Sequence, residues 1–177
     1  MAAVRTLYLW RHAKSSWADP TLADHDRPLS NRGRRAALRM AEHMRATGVR
    51  PAVVLCSSAM RAGQTLEALR TALGGEVEVS VEPDLYGTDA PCLLDRLQGL
   101  DEDITSAMVI GHNPTLQDLA IDLTGDGDAA AIARLHTKFP TAALAALELG
   151  RRSWDELAPG RAKLVDLILP KRLDRDA

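Results

Sequence analysis

The stretch LYLWRHAKSSW, residues 7–17, changes character at its fifth position. The residues before that point are apolar, and with their neighbours they predict a strand over 4–10 that is buried in a core. Arg11 and His12 come directly after this strand, so a fixed cation and an imidazole stand where the core opens. The rest of the chain indicates what these two side chains face.

Strand and helix signals alternate along the chain. Short apolar runs predict further strands near 52–56, 107–111, 143–149 and 163–169, and the alternating sequence VEVSV predicts a more lateral strand at 77–81. Apolar residues at helical spacing predict helices over 30–47, 62–73, 90–99 and 113–123. Ser30 is placed to cap the first helix, and Asn113, followed by Pro114, is placed to cap the last. This alternation is typical of an α/β fold, and we predict a three-layer α/β/α sandwich around a mostly parallel central sheet.

The length of the chain suits one folded unit. We predict a single domain over residues 1–170 and a polar C-terminal tail over 171–177. The segment GDGDAAA at 125–131 is the strongest candidate for a mobile loop. The sequence contains no internal repeat and no linker long enough to divide it.

The charge and cysteine content exclude several classes of protein. The net charge is −2, with both signs spread along 177 residues, so the sequence offers no broad basic face for nucleic acid. No apolar run reaches the roughly 18 residues needed to cross a membrane, and Arg5 interrupts any N-terminal secretion signal. Cys56 and Cys92 are the only cysteines, which suits a reducing compartment. We therefore expect a cytoplasmic protein and make no prediction about its oligomeric state.

Polar side chains follow three of the predicted buried strands. In an open α/β sheet, ligands bind beyond the carboxyl ends of the strands. The first strand is followed by Arg11 and His12, and the strand AVVLC is followed by two serines and then Arg61. The strand AMVIG is followed by His112 and Asn113. Because a sheet brings such ends together, we expect these side chains to meet around one ligand.

These residue types suit phosphoryl chemistry. Two arginines present planar forks of donors that match phosphate oxygens, and helix N-termini would add backbone N–H groups. Repulsion from an adjacent arginine favours the neutral form of His12, since the ordinary pKa of histidine is about 6.5. A neutral imidazole that faces a clamped phosphorus can attack it and form a phosphohistidine, which water then hydrolyses. A zinc site on His12 and His112 is the alternative, although nearby arginines repel a metal and no cysteine cluster assists.

Several motifs in combination carry a family resemblance: RHAKS at 11–15, DHDRPLSNRG at 24–33, MRAGQTLEAL at 60–69, and VIGHNP. With them the chain resembles the histidine phosphatase superfamily, in the branch that includes the cofactor-dependent phosphoglycerate mutases. It is most similar to the small SixA-type phosphohistidine phosphatases, from residue 4 to about residue 169. The resemblance implies a phosphoglycerate mutase-like fold and a phosphatase that uses no metal and no other cofactor.

The resemblance also implies a role for each of four residues. His12 would be the nucleophile. Arg11 and Arg61 would hold the phosphoryl oxygens. His112 would donate to the same group and stabilise the transition state.

Arg27, Ser15 and Asn113 are further candidates for phosphate or substrate binding. An arginine at the place of Arg27 lines the phosphate pocket in the SixA-like group, but Arg27 can equally form a salt bridge to Asp24 or Asp26. Ser15 is either a hydrogen-bonding residue near the phosphate or a plain loop serine.

The chain departs from the family pattern at two positions. Lys14 replaces an acid that many members carry, and it is either a solvated surface lysine or a rim cation for an acidic substrate. Gly87 stands where mutases and broad phosphatases have a glutamate that protonates the leaving oxygen. General acid help of this kind is commonly worth about 10²–10⁴ in rate, so its loss favours a good leaving group such as the imidazole of phosphohistidine. Asp84, Glu82 and Asp89 are the candidates to replace the missing acid.

The predicted function is hydrolysis of a phosphohistidine or a small phosphoester through a covalent intermediate on His12. The substrate is a phosphorylated protein, which implies a role in signal transduction, or a small phosphorylated molecule; nucleic acid and membrane partners are not expected. Two alternatives stay open. A phosphoglycerate mutase-like phosphotransferase shares the nucleophile but needs the glutamate, and a phosphate-binding module needs no turnover.

Overall fold

The computed structural model describes residues 3–75 and 77–173. The strands in these residues are β1 (Arg5–Arg11), β2 (Val53–Ser57), β3 (Glu78–Glu82), β4 (Ser106–Gly111), β5 (Thr124–Gly127), β6 (Leu144–Gly150) and β7 (Ala162–Ile168). The helices are α1 (Asn31–Ala46), α2 (Met60–Leu73), α3 (Ala90–Gln98), α4 (Thr115–Leu123), α5 (Ala129–Thr137) and α6 (Pro170–Leu173). Short 3-10 turns lie at Asp24–Asp26 and Pro83–Leu85. The predicted alternation of strands and helices is therefore confirmed.

The strands of the described residues join one sheet in the order β3-β2-β4-β1-β6-β7-β5. The first four in this order are parallel to their neighbours. β6 is antiparallel to both β1 and β7, and β5 is parallel to β7. β3 lies at one edge, as its alternating pattern predicts. The expectation of a mostly parallel central sheet is confirmed.

Alternate residues of the central strands point into two cores on opposite faces of the sheet. In β1, Leu7 and Leu9 belong to the core that contains residues of α3, α4 and α5. Trp10 belongs to the other core, beneath α1 and α2, where it is fully buried and its Nε1 donates to the carbonyl of Ala142 at 3.2 Å. The helices therefore form two layers around the sheet, as the three-layer prediction requires.

The segment predicted to be a mobile loop, 125–131, is instead regular structure. It contains most of β5 and the start of α5. Asp128 caps α5 by accepting a hydrogen bond from the backbone N–H of Ala131 at 2.8 Å. A Cβ at Gly125 would overlap the carbonyl of Gly160, so glycine serves close packing here.

The predicted C-terminal tail begins inside a helix. α6 extends to Leu173, and residues 174–177 lie outside the described residues. The domain boundary at residue 170 stays a prediction. Each helix of the described residues falls short of the length and apolar character that a membrane span requires.

The segment after His12 is fixed against the start of α1. Ser30 caps this helix as predicted, because its Oγ accepts from the N–H of Gly33 at 3.0 Å. The backbone N–H and the hydroxyl of Ser30 both donate to the carbonyl of Lys14, at 2.9 and 3.1 Å. A Cβ at Gly33 would overlap that same carbonyl, so the approach of the loop to the helix requires glycine. This contact sets the direction in which the chain leaves β1.

Candidate active site

Three parallel strands bring the predicted catalytic residues to one edge of the sheet. β1 and β4 are neighbours, β4 and β2 are neighbours, and their carboxyl ends lie side by side. Arg11 ends β1 and His12 follows it, His112 follows β4, and Arg61 lies in the first turn of α2 after β2. The rings of His12 and His112 are 5.0 Å apart between centroids, and Arg61 contacts both.

The backbone fixes the protonation pattern of His12. Its Nδ1 lies 2.7 Å from the carbonyl oxygen of Ala13. Since a carbonyl can only accept, Nδ1 carries the proton of the neutral ring. Nε2 is then left with a free lone pair, and it accepts a hydrogen bond from Nε of Arg61 at 3.3 Å. The ring thus presents its unprotonated nitrogen to the arginine fork.

The environment of His12 favours its neutral form. The side chain is buried, and this burial is the main cause that lowers its pKa from 6.5 to about 3. The carbonyl of Ala13 acts in the opposite direction, while the charges of His112, Arg61 and Arg11 lower the pKa further. The predicted repulsion by arginine is therefore present, but desolvation is the larger effect.

His112 is also neutral near pH 7. Its Nε2 lies 2.7 Å from the hydroxyl of Ser57, and its Nδ1 lies 3.5 Å from Nη2 of Arg61. Because the guanidinium can only donate, Nδ1 is the unprotonated nitrogen and Nε2 donates to Ser57. Burial lowers the pKa of His112 to about 4, and the charge of Arg61 adds to this effect.

Arg61 is held on its far side by the 3-10 turn at Asp24–Asp26. Nη1 donates to the carbonyl of Asp24 at 2.6 Å, and Nη2 donates to its Oδ2 at 3.0 Å. The same Oδ2 accepts a hydrogen bond from the hydroxyl of Tyr86 at 2.8 Å. The Tyr86 hydrogen bond, followed by Arg61 and Arg27, holds the pKa of Asp24 at about 2. Asp24 is therefore a carboxylate that holds the guanidinium of Arg61 in place.

Arg27 is buried, and both sequence interpretations of it describe part of its surroundings. It forms a salt bridge to Asp24 at 2.9 Å and donates to the hydroxyl of Ser15 at 2.6 Å. It also lines the same pocket as His12. The exposed ring of Trp17 covers the guanidinium, with 3.2 Å from Cζ to the ring centroid. Ser15 is thus a partner of Arg27 at the edge of the pocket.

One carbonyl connects Arg11 and Asn113. The carbonyl of Phe139 accepts from Nη1 of Arg11 at 2.9 Å and from Nδ2 of Asn113 at 3.0 Å. The prediction that Asn113 caps α4 is wrong, because Pro114 occupies the N-cap and no side chain caps the helix. Asn113 is occupied instead with Phe139 and with Gln117, to which Nδ2 also donates. It lies in the wall of the pocket.

These side chains surround an open pocket of about 610 Å³. The residues that line it are Arg11, His12, Lys14, Ser15, Trp17, Arg27, Arg61, Tyr86, Gly87, His112, Asn113 and Thr141. It therefore contains all seven site residues predicted from the sequence. Its lining in the described part of the chain includes four Arg or Lys side chains and no Asp or Glu, which suits a dianion with tetrahedral oxygens.

The candidates for a replacement acid lie elsewhere in the described residues. Glu82 is held by Arg96 of α3 through Nε and Nη2, at distances from 2.6 to 3.2 Å. Asp89 caps α3 by accepting from Cys92. Asp84 is exposed and is not part of the pocket wall. Gly87 lies in the pocket wall and carries no side chain, and its correspondence to the family glutamate stays a prediction.

Ser57, Asp24 and Tyr86 contribute contacts that the sequence did not assign to the site. Ser57 was visible as the residue that ends a buried strand, and its hydroxyl fixes His112. Asp24 was visible only as a partner for Arg27. Tyr86 precedes Gly87, and its position in the segment PDLYGTD, next to the place predicted for the missing acid, is the one feature of the sequence that could have indicated a role in the site.

The family model of the histidine phosphatase superfamily, branch 1, matches residues 7–107. An uncharacterised protein of Mycobacterium tuberculosis is 37% identical over 163 residues, which cover 91% of this chain and 99% of that protein. An uncharacterised chloroplastic protein of Arabidopsis thaliana is 34% identical, with 94% of this chain and 78% of that protein covered.

Solved structures are similar over nearly the full length. A protein of Nakamurella multipartitia, named as phosphohistidine phosphatase SixA, is 31% identical with a TM-score of 0.82, and the match covers 96% of this chain and 98% of that one. The protein histidine phosphatase SixA in complex with tungstate is 25% identical with a TM-score of 0.77, covering 95% and 99%. Matches of this extent confirm the resemblance noted in the motifs, and the chain belongs to the histidine phosphatase superfamily, branch 1, a family of phosphatases and mutases.

Proposed function

We propose that the protein is a metal-independent phosphatase in which His12 carries the phosphoryl group between substrate and water. The observation that carries the proposal is the orientation of His12. Its proton is held on Nδ1 by Ala13, and its free Nε2 faces the guanidinium of Arg61 at 3.3 Å. An imidazole in this state is a nucleophile, and it lies beside a guanidinium that can bind an anion.

The reaction proceeds in two displacements. Nε2 of His12 attacks the phosphorus, the Nε2–P bond forms, and the bond from phosphorus to the leaving group breaks. Arg11 and Arg61 hold the phosphoryl oxygens and stabilise their charge in the transition state. Water then attacks the phosphorus of phospho-His12, inorganic phosphate leaves, and the neutral ring is restored.

His112 changes its protonation state as the substrate binds. A dianion within a few ångströms favours the charged form of an imidazole, so the pKa of His112 rises from about 4 when phosphate arrives. His112 then donates to a phosphoryl oxygen, as the family resemblance implies. Binding of a phosphate analogue such as tungstate is accompanied by proton uptake.

The substrate we propose is one with a good leaving group, and phosphohistidine is the first candidate. Asp24 is ionised at neutral pH, and no carboxyl side chain of the described residues lines the pocket, so an alkoxide would leave without a proton. An imidazole leaves readily near neutral pH. Similarity to structures named SixA supports the same substrate class. A cytoplasmic location, in keeping with two free cysteines, belongs to this proposal.

The covalent intermediate is tested by trapping it. Wild-type protein is mixed with a substrate labelled on phosphorus and quenched in alkaline detergent, because phosphohistidine is labile in acid. We expect label on the wild type and none on His12→Ala. His43→Ala, which changes a histidine of α1 outside the pocket, is the matched control and keeps the label. Label on His12→Ala refutes the proposal, and a wild type that binds phosphate without labelling identifies a binding module.

The leaving-group preference needs a separate comparison. Turnover of a phosphohistidine peptide is compared with turnover of glycerol phosphate, and we expect the peptide to react at least about 10²-fold faster. Faster hydrolysis of the alkyl ester refutes this preference. Transfer of the label to an added sugar acid in place of water identifies a mutase.

A further inference from the structure

A second depression adjoins the active-site pocket and has a different character. It has a volume of about 430 Å³ and lies between α1, the end of α5 and the segment that leads into α6. We call it the basic groove, and it is lined by Lys14, Arg32, Ala36, Arg39, Arg134, Thr137, Lys138, Pro140, Thr141, Leu169, Pro170 and Lys171. Six of these twelve residues are Arg or Lys, and in the described part of the chain none is Asp or Glu. A protein of net charge −2 thus concentrates positive charge at one concave place.

The groove borders the active-site pocket. Lys14 and Thr141 line both depressions. Lys14 follows His12 by two residues, and its backbone is fixed by Ser30 at the start of α1. A ligand whose phosphoryl group faces His12 and that is long enough to pass Lys14 therefore has the groove next to it.

The walls of the groove are partly apolar. Ala36, Pro140, Leu169 and Pro170 are half-buried and face the same space as the cations. Small-molecule sites typically have volumes of about 300–1,000 Å³ and combine apolar walls with a few polar groups. The groove falls in this range, and its composition suits a molecule that is both anionic and partly apolar.

The groove offers charge stabilisation in place of the missing acid. A departing group that is itself a stable anion requires no proton, and a phosphate monoester carries a charge of about −1.5 to −2 at pH 7. Cations next to the scissile bond stabilise such a group as it leaves. The absence of a side chain at Gly87 and the cations of the groove therefore favour the same class of substrate.

We propose that the protein also hydrolyses organic phosphoanhydrides, with the second phosphate and the organic part of the substrate bound in the basic groove. This inference rests on the proposed phosphatase function. Nε2 of His12 attacks the terminal phosphorus, and the Nε2–P bond forms. The bond from that phosphorus to the bridging oxygen breaks, and the organic monophosphate leaves with the electron pair on this oxygen. Water then releases inorganic phosphate from phospho-His12.

ADP is the probe, and p-nitrophenyl phosphate is the reference substrate. The reference has one phosphate and a small leaving group, so it reports the active-site pocket without the groove. We expect wild-type protein to hydrolyse both, and His12→Ala to hydrolyse neither. The products from ADP are AMP and inorganic phosphate in equal amounts.

Charge reversal in the groove separates the two substrates. Arg32 of α1 and Lys171 of α6 are exposed, and both line the groove but not the active-site pocket. In the double variant Arg32→Glu/Lys171→Glu we expect kcat/KM for ADP to fall about tenfold, chiefly through KM, while the value for p-nitrophenyl phosphate changes less than about twofold. Arg34→Glu, an exposed position on the same helix that does not line the groove, is the matched control and leaves both values unchanged.

Failure of the inference is distinguishable from failure of the proposed function. Hydrolysis of p-nitrophenyl phosphate without hydrolysis of ADP overturns the inference and leaves the phosphatase proposal intact. The inference is also overturned if the double variant loses as much kcat/KM for p-nitrophenyl phosphate as for ADP. The same holds if Arg34→Glu lowers kcat/KM for ADP as much as the double variant does. Hydrolysis of neither substrate by wild-type protein overturns the inference, and it refutes the phosphatase proposal as well when the phosphohistidine peptide is not hydrolysed either.

Discussion

The active-site pocket and the basic groove are both rich in cations, but they hold them differently. In the pocket, Arg61 is fixed by Asp24 and His12, and Arg27 is fixed by Asp24 and Ser15. In the groove, the side chains of Lys138 and Lys171 reach solvent. A site that stabilises a transition state requires donors at fixed positions, whereas a site that holds the rest of a ligand can adapt to it. Substitutions in the pocket should therefore lower kcat/KM by orders of magnitude, whereas substitutions in the groove should lower it by about tenfold or less.

Arg61→Lys tests the fixed geometry of the pocket and should have the largest effect. Lysine keeps the charge but loses the planar fork that contacts Asp24 and both histidines. We expect kcat to fall about 10²–10³-fold, the usual cost of one transition-state donor. Steady-state kinetics with p-nitrophenyl phosphate measures this. Arg70→Lys, an exposed position on the same helix, should be silent, and a loss below about tenfold at Arg61 would mean that charge alone suffices there.

The pH dependence of the free energy of unfolding tests whether burial in the pocket lowers the pKa values of His12 and His112. A histidine whose pKa is lower in the folded chain contributes stability that is present above pH 6.5 and lost as the pH falls towards the folded value. For His12 and His112 those values are about 3 and about 4, so the window runs from pH 6.5 down to about 4. The free energy of unfolding should fall in this window by about 1.4 kcal/mol per pH unit for each histidine.

Urea unfolding at pH 6.5 and 4.5 measures this slope. His12→Asn removes one titrating group, so its stability should depend less steeply on pH than that of the wild type. His43→Asn is the control, with a slope like that of the wild type. Identical slopes for His12→Asn and the wild type would show that His12 is not held neutral by burial.

Gly33→Ala tests the packing of the loop after His12, which borders both the active-site pocket and the basic groove. Gly33→Ala places a Cβ where the carbonyl of Lys14 lies, so the loop after His12 must move. Overpacking of this kind typically costs about 1–3 kcal/mol. Gly63→Ala is a matched control in α2, where a Cβ meets no atom within 4 Å, and it should stabilise the protein by about 0.5–1 kcal/mol. Thermal unfolding compares the two, and equal changes of either sign would contradict the role of the Lys14 contact.

The sequence predicts the convergence of the four proposed catalytic residues because each stands at or after the end of a strand. A continuous apolar run identifies a buried parallel strand, and parallel neighbours align their carboxyl ends, so Arg11 and His112 can be placed without coordinates. The contacts of Asp24 and Tyr86 could not be predicted in this way. Both residues lie in or next to short 3-10 turns, where no periodicity constrains the direction of a side chain.

Two errors from the sequence have local causes. Glycines at 125 and 127 suggested a loop, yet they allow close approach to Gly160 and Leu164. The capping aspartate at 128 and the alanines after it were a helix signal that outweighed them. At Asn113, the cap preference of the residue type was overridden by the carbonyl of Phe139, a partner distant in the chain.

Asp24→Asn should have the smallest effect, and it tests most directly whether the active-site pocket differs from the basic groove through the carboxylate that fixes its arginines. The ionised carboxylate of Asp24 occupies the arginine forks that a phosphate would use, so it competes with an anion in the free protein. The amide keeps the size of the side chain but removes one negative charge, and Arg61 and Arg27 should then attract an anion more strongly. Because Asp24 is half-exposed, solvent screens its charge, and we expect tungstate to bind about two- to fivefold more tightly.

Isothermal titration calorimetry measures this affinity, with Asp26→Asn as the matched control, since Asp26 contacts His25 and neither arginine. Weaker tungstate binding in Asp24→Asn would show that fixing the forks matters more than the competing charge, and the difference between the pocket and the basic groove would then rest on geometry alone.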